Sequence, residues 1–400
     1  MKKIVFVCSA IMVILFCGCV PKDNVILHEK WPFLTGVAVP GARTNNGNLS
    51  AKIADALNKG SPQHQLLKHF NVLAAENEMK PYAIMPSSLP SDNNWSGGYS
   101  WIDADRLVSY AKENGKRLRG HVLIWHDQTP EWFFRGSGTS GRASMEELYF
   151  RMENHIKTVF EKYGGAIEWW DVCNEVVDHT SGGPRQDSNY TRIMQDSGKL
   201  GSDRYEYVVK AFEWARKYAD LNGGQNVKLY LTDYGIERRF PGEARSKIDE
   251  FEVLVKYLVD NNAPIDGIGF QGHFRLYDHT PEEIGRGIDR FSEVNGKKLM
   301  LQICELDISI YSSAKNEANN TSIPDEILKQ RLTDLAAFYR EYFDMFEQKY
   351  REGKLDLVLI WGIADGHSWL NNHPVAGRTD YPLLFDRKHQ PKEAYWALVN

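Results

Sequence analysis

Ile167-Glu168-Trp169-Trp170-Asp171-Val172-Cys173-Asn174-Glu175 is an apolar, strand-like run that ends on a carboxylate. The pattern returns 130 residues further on, where Leu299 to Ile303 leads into Cys304-Glu305-Leu306-Asp307. In a parallel α/β scaffold the C-terminal ends of the strands share one face, so two such runs bring two carboxylates over a single cleft. Paired carboxylates point to hydrolysis of a glycosidic bond.

Working outward from these two runs, six more apolar or β-branched stretches appear: Leu34 to Val39, Phe70 to Ala75, Leu118 to Trp125, Val227 to Thr232, Gly267 to Phe270 and Leu357 to Ile363. Most are separated by segments of helical period. Ser144 and Glu147 form a capping-box pattern ahead of Leu148, Met152, Ile156, Val159, Phe160 and Tyr163, and Gly164-Gly165 ends that helix. A second helical pattern runs from Leu328 to Phe346 after Pro324. Eight strand–helix alternations predict a closed (β/α)₈ TIM barrel, a single catalytic domain over 34–400, rather than an open doubly wound sheet. No glycine-rich phosphate fingerprint follows any strand, and no repeat or low-complexity linker marks a second domain.

The composition agrees with a globular enzyme. Of 400 residues, 25% are charged and 42% hydrophobic, and the net charge of −5 with no dense basic run past Lys3 argues against nucleic acid as a partner. Eleven Trp and nineteen Tyr exceed what core packing alone explains, and their rings suit the apolar faces of sugars.

Lys2-Lys3, the apolar run Ile4 to Phe16 and the small residue Gly18 have the order of an export signal over 1–19, and about thirteen apolar residues are too few to span a bilayer. Phe16-Cys17-Gly18-Cys19 resembles a bacterial lipobox, with Phe16 where leucine is usual. Lipidation of Cys19 is the expectation, giving a protein anchored to a bacterial membrane at the cell surface or in the periplasm; plain secretion is the alternative. Residues 20–33 read as a tether. Only Cys173 and Cys304 remain in the body, adjacent to the two glutamates, and both read as small buried fillers. On strand parity Cys173 shares a face with Glu175, while Cys304 faces away from Glu305.

The strand ends carry the unusual polar residues. They are Glu76-Asn77-Glu78-Met79-Lys80, Arg119-Gly120-His121 through Trp125-His126-Asp127-Gln128, Asn174-Glu175, Asp233-Tyr234, Gln271-Gly272-His273, Glu305-Leu306-Asp307, and Trp361 with Asp365 and Trp369 beyond. Taken in order these motifs resemble glycoside hydrolase family 10, the endo-1,4-β-xylanases, from about Thr35 to Tyr395. The resemblance implies retaining, endo-acting hydrolysis of β-1,4-xylan or xylo-oligosaccharides, with no cofactor and no metal. It implies Glu175 as general acid and base and Glu305 as nucleophile, supported by Asn174, His273 and Asp307. It also implies that Glu76, Asn77, Lys80, His121, Trp125, Gln128 and Gln271 bind substrate, that Trp361 and Trp369 cap the sugar beside the cleavage point, and that Tyr234 meets the aglycone side. Burial and a nearby negative charge would keep Glu175 protonated near neutral pH.

The sequence departs from the family pattern at Cys173, where an aliphatic residue is usual, at Thr232 and Gly235, which replace asparagines beside Asp233, and at Ala364. Three other readings compete. One is a related barrel glycanase acting on cellulose, mixed-linkage glucan or mannan; another is a lipid-anchored protein that binds glycan without cutting it. The third, a metal hydrolase prompted by twelve histidines, lacks the His-Glu-x-x-His helical spacing. Oligomeric state and tolerance of xylan side chains are not legible in the sequence.

Overall fold

The computed structural model describes residues 25–40, 52–90, 97–138, 140–179, 182–239 and 246–400. The leader over 1–19 and Cys19 lie outside them. Eight parallel strands form the barrel: β1 Leu34–Val39, β2 Val72–Ala75, β3 Arg117–Gly120, β4 Trp169–Asn174, β5 Lys228–Asp233, β6 Gly267–Phe270, β7 Met300–Ser309 and β8 Leu355–Ile360. Each pairs with the next, and β8 closes onto β1 through Leu34↔Leu357 to Val37↔Ile360. Helices fill the crossovers, among them Ile102–Glu113, Met145–Tyr163, Glu206–Leu221, Lys247–Asp260, Pro281–Phe291 and Asp325–Arg351. The capping box forms as the sequence predicts: the Glu147 N–H donates to Ser144 Oγ (3.2 Å) and the Ser144 N–H to Glu147 Oε2 (2.8 Å).

All eight strand runs fall where the apolar pattern places them. The stretch Leu118 to Trp125 is the exception in form. It comprises β3 and a separate piece, Ile124–Trp125, which pairs with the end of β4. A similar short piece, His273–Arg275, extends the barrel beyond β6 and pairs with β7 at Asp307↔His273 and Ser309↔Arg275.

The barrel interior packs small against large, as close packing demands. Ala38 and Ala74 lie with Trp169, Tyr230 and Trp361 in one inner cluster. Gly269 leaves room for charge there, since a Cβ at that position would lie 2.9 Å from Arg119 Nη2. Arg119 and Asp171 are each 1% exposed and paired, and Arg119 also donates to Gln302. Gln302 Nε2 in turn donates to Asp356 Oδ1 (2.8 Å). Removing one partner strands the other charge, so Asp171→Ala is expected to cost about 3–5 kcal/mol. A denaturant midpoint that moves by less than about 1 kcal/mol equivalent would contradict this reading of the network.

The expected tether through residue 33 is not what forms. Leu27, Trp31 and Phe33 are buried, Trp31 Nε1 donates to the Leu398 carbonyl (3.1 Å), and Tyr395 Oη donates to the Val25 carbonyl (2.7 Å). The hydrophobic gain from burying these three apolar side chains draws the segment onto the C-terminal helix Glu393–Val399, so the packed domain begins by Val25.

Candidate active site

The C-terminal ends of the strands surround a cleft of about 1080 Å³. It is lined by Glu175, Glu305, Asn174, His273 and Asp307, together with Glu76, Asn77, Lys80, His121 and Trp125. Gln128, Tyr234, Gln271, Trp361 and Trp369 complete the predicted set, every member of which reaches this one cleft.

Two backbone irregularities aim the glutamates. In β4 the register against β5 slips between Asp171 and Cys173, so inward and outward positions exchange. Cys173 then packs outward in the main core, while Asn174 faces the cleft. Glu175 follows with φ 55°, a left-handed conformation held by its N–H on the Thr232 carbonyl (3.0 Å) and by Arg185 Nε on its own carbonyl (2.8 Å). In β7 the register against β8 slips between Ile303 and Leu306. Cys304 lies beside Arg119 inside the barrel, and the next residue, Glu305, still enters the cleft. Strand parity therefore fails at both cysteines: Cys173 does not share a face with Glu175, and Cys304 does not point away from Glu305. Both thiols are free and buried, and burial pushes them up from their ordinary range.

Gln271 joins the two carboxylates. Its Nε2 donates to Glu175 Oε1 (2.9 Å) and Asn174 Oδ1 (3.1 Å), while its carbonyl accepts the Glu305 N–H (2.8 Å). Thr232, one of the departures from the family pattern, donates its hydroxyl to Asn174 Oδ1 (2.9 Å) and so fixes that amide.

Around Glu305 the charges are arranged in series. His273 Nε2 lies 3.2 Å from Glu305 Oε2, and its Nδ1 lies 3.0 Å from Asp307 Oδ1. Trp369 Nε1 donates to the other Asp307 oxygen (2.7 Å). Burial opposes a charged imidazole, but Asp307 and Glu305 outweigh it and raise His273 to about 10, so at neutral pH it meets Glu305 as a cation. Glu305 Oε1 is left differently. It is buried, has no hydrogen-bond partner among the described residues, and has the His121 Nδ1, itself held by Asp171 (2.9 Å), at 3.7 Å.

Around Glu175 the electrostatics run against the sequence-based expectation. Burial does push its carboxyl up. The hydrogen bond from Gln271 and the charges of Lys247, His126 and Arg185 more than offset this and hold it below the usual carboxylate range. Arg185 Nη2 stands 3.7 Å from Glu175 Oε2 and donates to Tyr234 Oη (3.1 Å). Lys247, fully buried, pairs with Asp233 Oδ1 (2.6 Å) and lies 3.3 Å above the Tyr234 ring. Neither cation is apparent from the motifs. Arg185 comes from the polar loop after β4, and Lys247 is the first residue of a helix whose partner, Asp233, is the only sequence hint.

Lys80, which also lines the cleft, donates to Asn77 Oδ1 (3.0 Å) and lies 5.0 Å above the Trp125 ring. Burial lowers its pKa against the pull of Glu305, Glu76 and Glu175.

A parallel barrel whose fourth and seventh strands deliver carboxylates into an aromatic-walled cleft has the equipment of a glycosidase. The family model for glycosyl hydrolase family 10 matches residues 41–400. Endo-1,4-beta-xylanase C of Paenibacillus barcinonensis is 38% identical over 86% of this chain, which spans 30% of that longer protein. Beta-1,4-xylanase of Dictyoglomus thermophilum is 37% identical over 84% of this chain and 83% of its own. The thermostable celloxylanase of Thermoclostridium stercorarium is 36% identical, covering 88% and 84%. Among solved structures, a GH10 protein from Paenibacillus barcinonensis superposes with a TM-score of 0.77 at 34% identity, covering 92% of this chain and 95% of its own. The intracellular xylanase of Thermoanaerobacterium saccharolyticum, solved with xylotetraose, gives 0.72 at 31% identity, covering 94% and 99%. The chain belongs to glycosyl hydrolase family 10.

Proposed function

We propose that the protein is an endo-1,4-β-xylanase that cleaves internal xylosidic bonds by double displacement, with Glu305 as nucleophile and Glu175 as acid and base. The observation that carries this is the state of Glu305: one oxygen is held by cationic His273 and the other is buried without a hydrogen-bond partner among the described residues. An oxygen left in that condition is available to bond the anomeric carbon.

In the first step Glu305 attacks that carbon while Glu175 gives its proton to the leaving glycosidic oxygen. The xylan chain separates, and the glycone stays on Glu305 as an ester. Substrate filling the cleft removes the remaining water from Glu175, which favours the protonated form the step requires. In the second step ionised Glu175 takes a proton from water, the water oxygen attacks the anomeric carbon, and Glu305 leaves as a carboxylate. Asn174, oriented by Thr232 and Gln271, is placed to hold the sugar 2-hydroxyl, a contact that strengthens in the transition state.

Xylose differs from glucose by lacking a hydroxymethyl group, and in this reading Trp361, Trp369 and Gln128, which line the cleft, close the pocket against that group. A group of this size in a closed pocket is worth roughly 10- to 200-fold. Xylohexaose is therefore expected to exceed cellohexaose in kcat/KM by at least about tenfold, with the β-anomer formed first. Equal specificity constants would shift the assignment to a broader glycanase. An α-anomer appearing first would overturn the double displacement.

A further inference from the structure

One cation in the cleft has no match on a neutral xylan chain. Arg275 lies two residues beyond His273 on the same strand piece, opposite Ser309 of β7, and lines the outer part of the cleft. Its side chain forms no ion pair and no hydrogen bond with the described residues. Side chains at i and i+2 on a strand share a face, so Arg275 is carried on the same side as His273, with its Cα about 7 Å further along the strand.

The surroundings add a second positive charge, and Arg275 and Arg378 act on each other as like charges. Arg378 also lines the cleft and forms no ion pair with the described residues; its Nε donates to the Asn320 carbonyl (2.8 Å) and its Nη2 to the Ala318 carbonyl (2.5 Å). Two carboxylates of this region accept hydrogen bonds from neighbouring hydroxyls and backbone N–H groups and are not paired with Arg275. Asp380 accepts from Ser309 Oγ (2.5 Å) and the Tyr381 N–H (2.7 Å), and Asp278 accepts from Ser312 Oγ (2.8 Å) and the Ser313 N–H (3.1 Å). His373, stacked on Trp369, registers the resulting field: burial, then His273 and Arg275, push its proton off.

We propose that Arg275, backed by Arg378, receives the carboxylate of a uronic acid branch carried by a backbone xylose next to the scissile bond. This rests on the xylanase reading and sharpens its substrate to acidic, glucuronosyl-decorated xylan. A planar guanidinium with free N–H groups suits a carboxylate in two-point contact, and nothing else on a xylan chain carries negative charge.

The test compares a glucuronosyl-branched xylo-oligosaccharide with the same compound after reduction of its carboxyl to an alcohol, which keeps the shape and removes the charge. The wild-type ratio of kcat/KM, acidic over reduced, is expected to be about tenfold and to fall as salt is added. Arg275→Ala brings the ratio to about one, and Arg275→Lys, which keeps the charge without the fork, leaves an intermediate value. Because each ratio is taken within one enzyme, a general loss of activity cancels. A wild-type ratio near one, or one that Arg275→Ala leaves unchanged, overturns the assignment. If linear xylohexaose is not hydrolysed by the wild type, the xylanase reading itself fails, and the two failures are distinct.

Discussion

Glu305→Ala is expected to lower kcat by roughly 10⁴-fold or more on xylan and on aryl xylosides alike, because both substrates must form the same ester before either can turn over. A better leaving group does not help when the attacking atom is missing. Glu305→Gln separates chemistry from architecture: the amide keeps the size of the side chain and the acceptor facing His273, but it is no nucleophile. The same loss is expected, with a denaturation midpoint close to that of the wild type. Azide added to Glu305→Ala fits the space vacated by the carboxylate and is expected to yield an α-glycosyl azide from an activated β-xyloside. Either variant keeping more than about one hundredth of wild-type kcat would remove Glu305 from the nucleophile role.

Much of the fold was legible because barrel strands are buried on both faces and therefore read as short unbroken apolar runs. Leu34 to Val39 and Gly267 to Phe270 match their strands residue for residue. The strand-end motifs also converge on one cleft, since a parallel barrel sends every C-terminal strand end to the same side. What parity missed were the bulges. An inserted residue such as Val172 carries no distinctive chemistry, yet it reverses every later side chain on the strand, and this is why the orientations of Cys173 and Cys304 came out wrong. The tether is a different error. Leu27, Trp31 and Phe33 were already too apolar for a solvated linker, and their burial follows from that composition. Arg185 and Lys247 stayed hidden because their roles depend on long-range approach to Glu175 and Asp233 rather than on any local pattern.

Glu175→Ala is expected to act unequally on two substrates. On xylan, where the leaving group is a sugar hydroxyl that needs a proton, kcat/KM is expected to fall by about 10²–10⁴-fold. On an aryl xyloside whose phenol departs as a stable anion, the first step needs little acid help. The ester then accumulates, because Glu175 is also the base that activates water, so a burst of phenol precedes slow turnover. Equal losses on both substrates, without a burst, would remove Glu175 from the acid role. The surrounding charges extend the argument to pH. In the free enzyme Arg185 and Lys247 help hold the Glu175 carboxyl below its ordinary range, so the protonated form is lost at a lower pH than for an isolated glutamate. The basic limb of kcat/KM, which follows the free enzyme, is therefore expected on the acid side of the basic limb of kcat, which follows the substrate-filled cleft where water no longer stabilises the charge. Arg185→Ala removes a cation 3.7 Å from Glu175 Oε2, and the limb of kcat/KM moves to higher pH. A limb that stays in place would mean that Arg185 braces the Glu175 backbone through its 2.8 Å bond to the carbonyl without setting the acidity of the side chain.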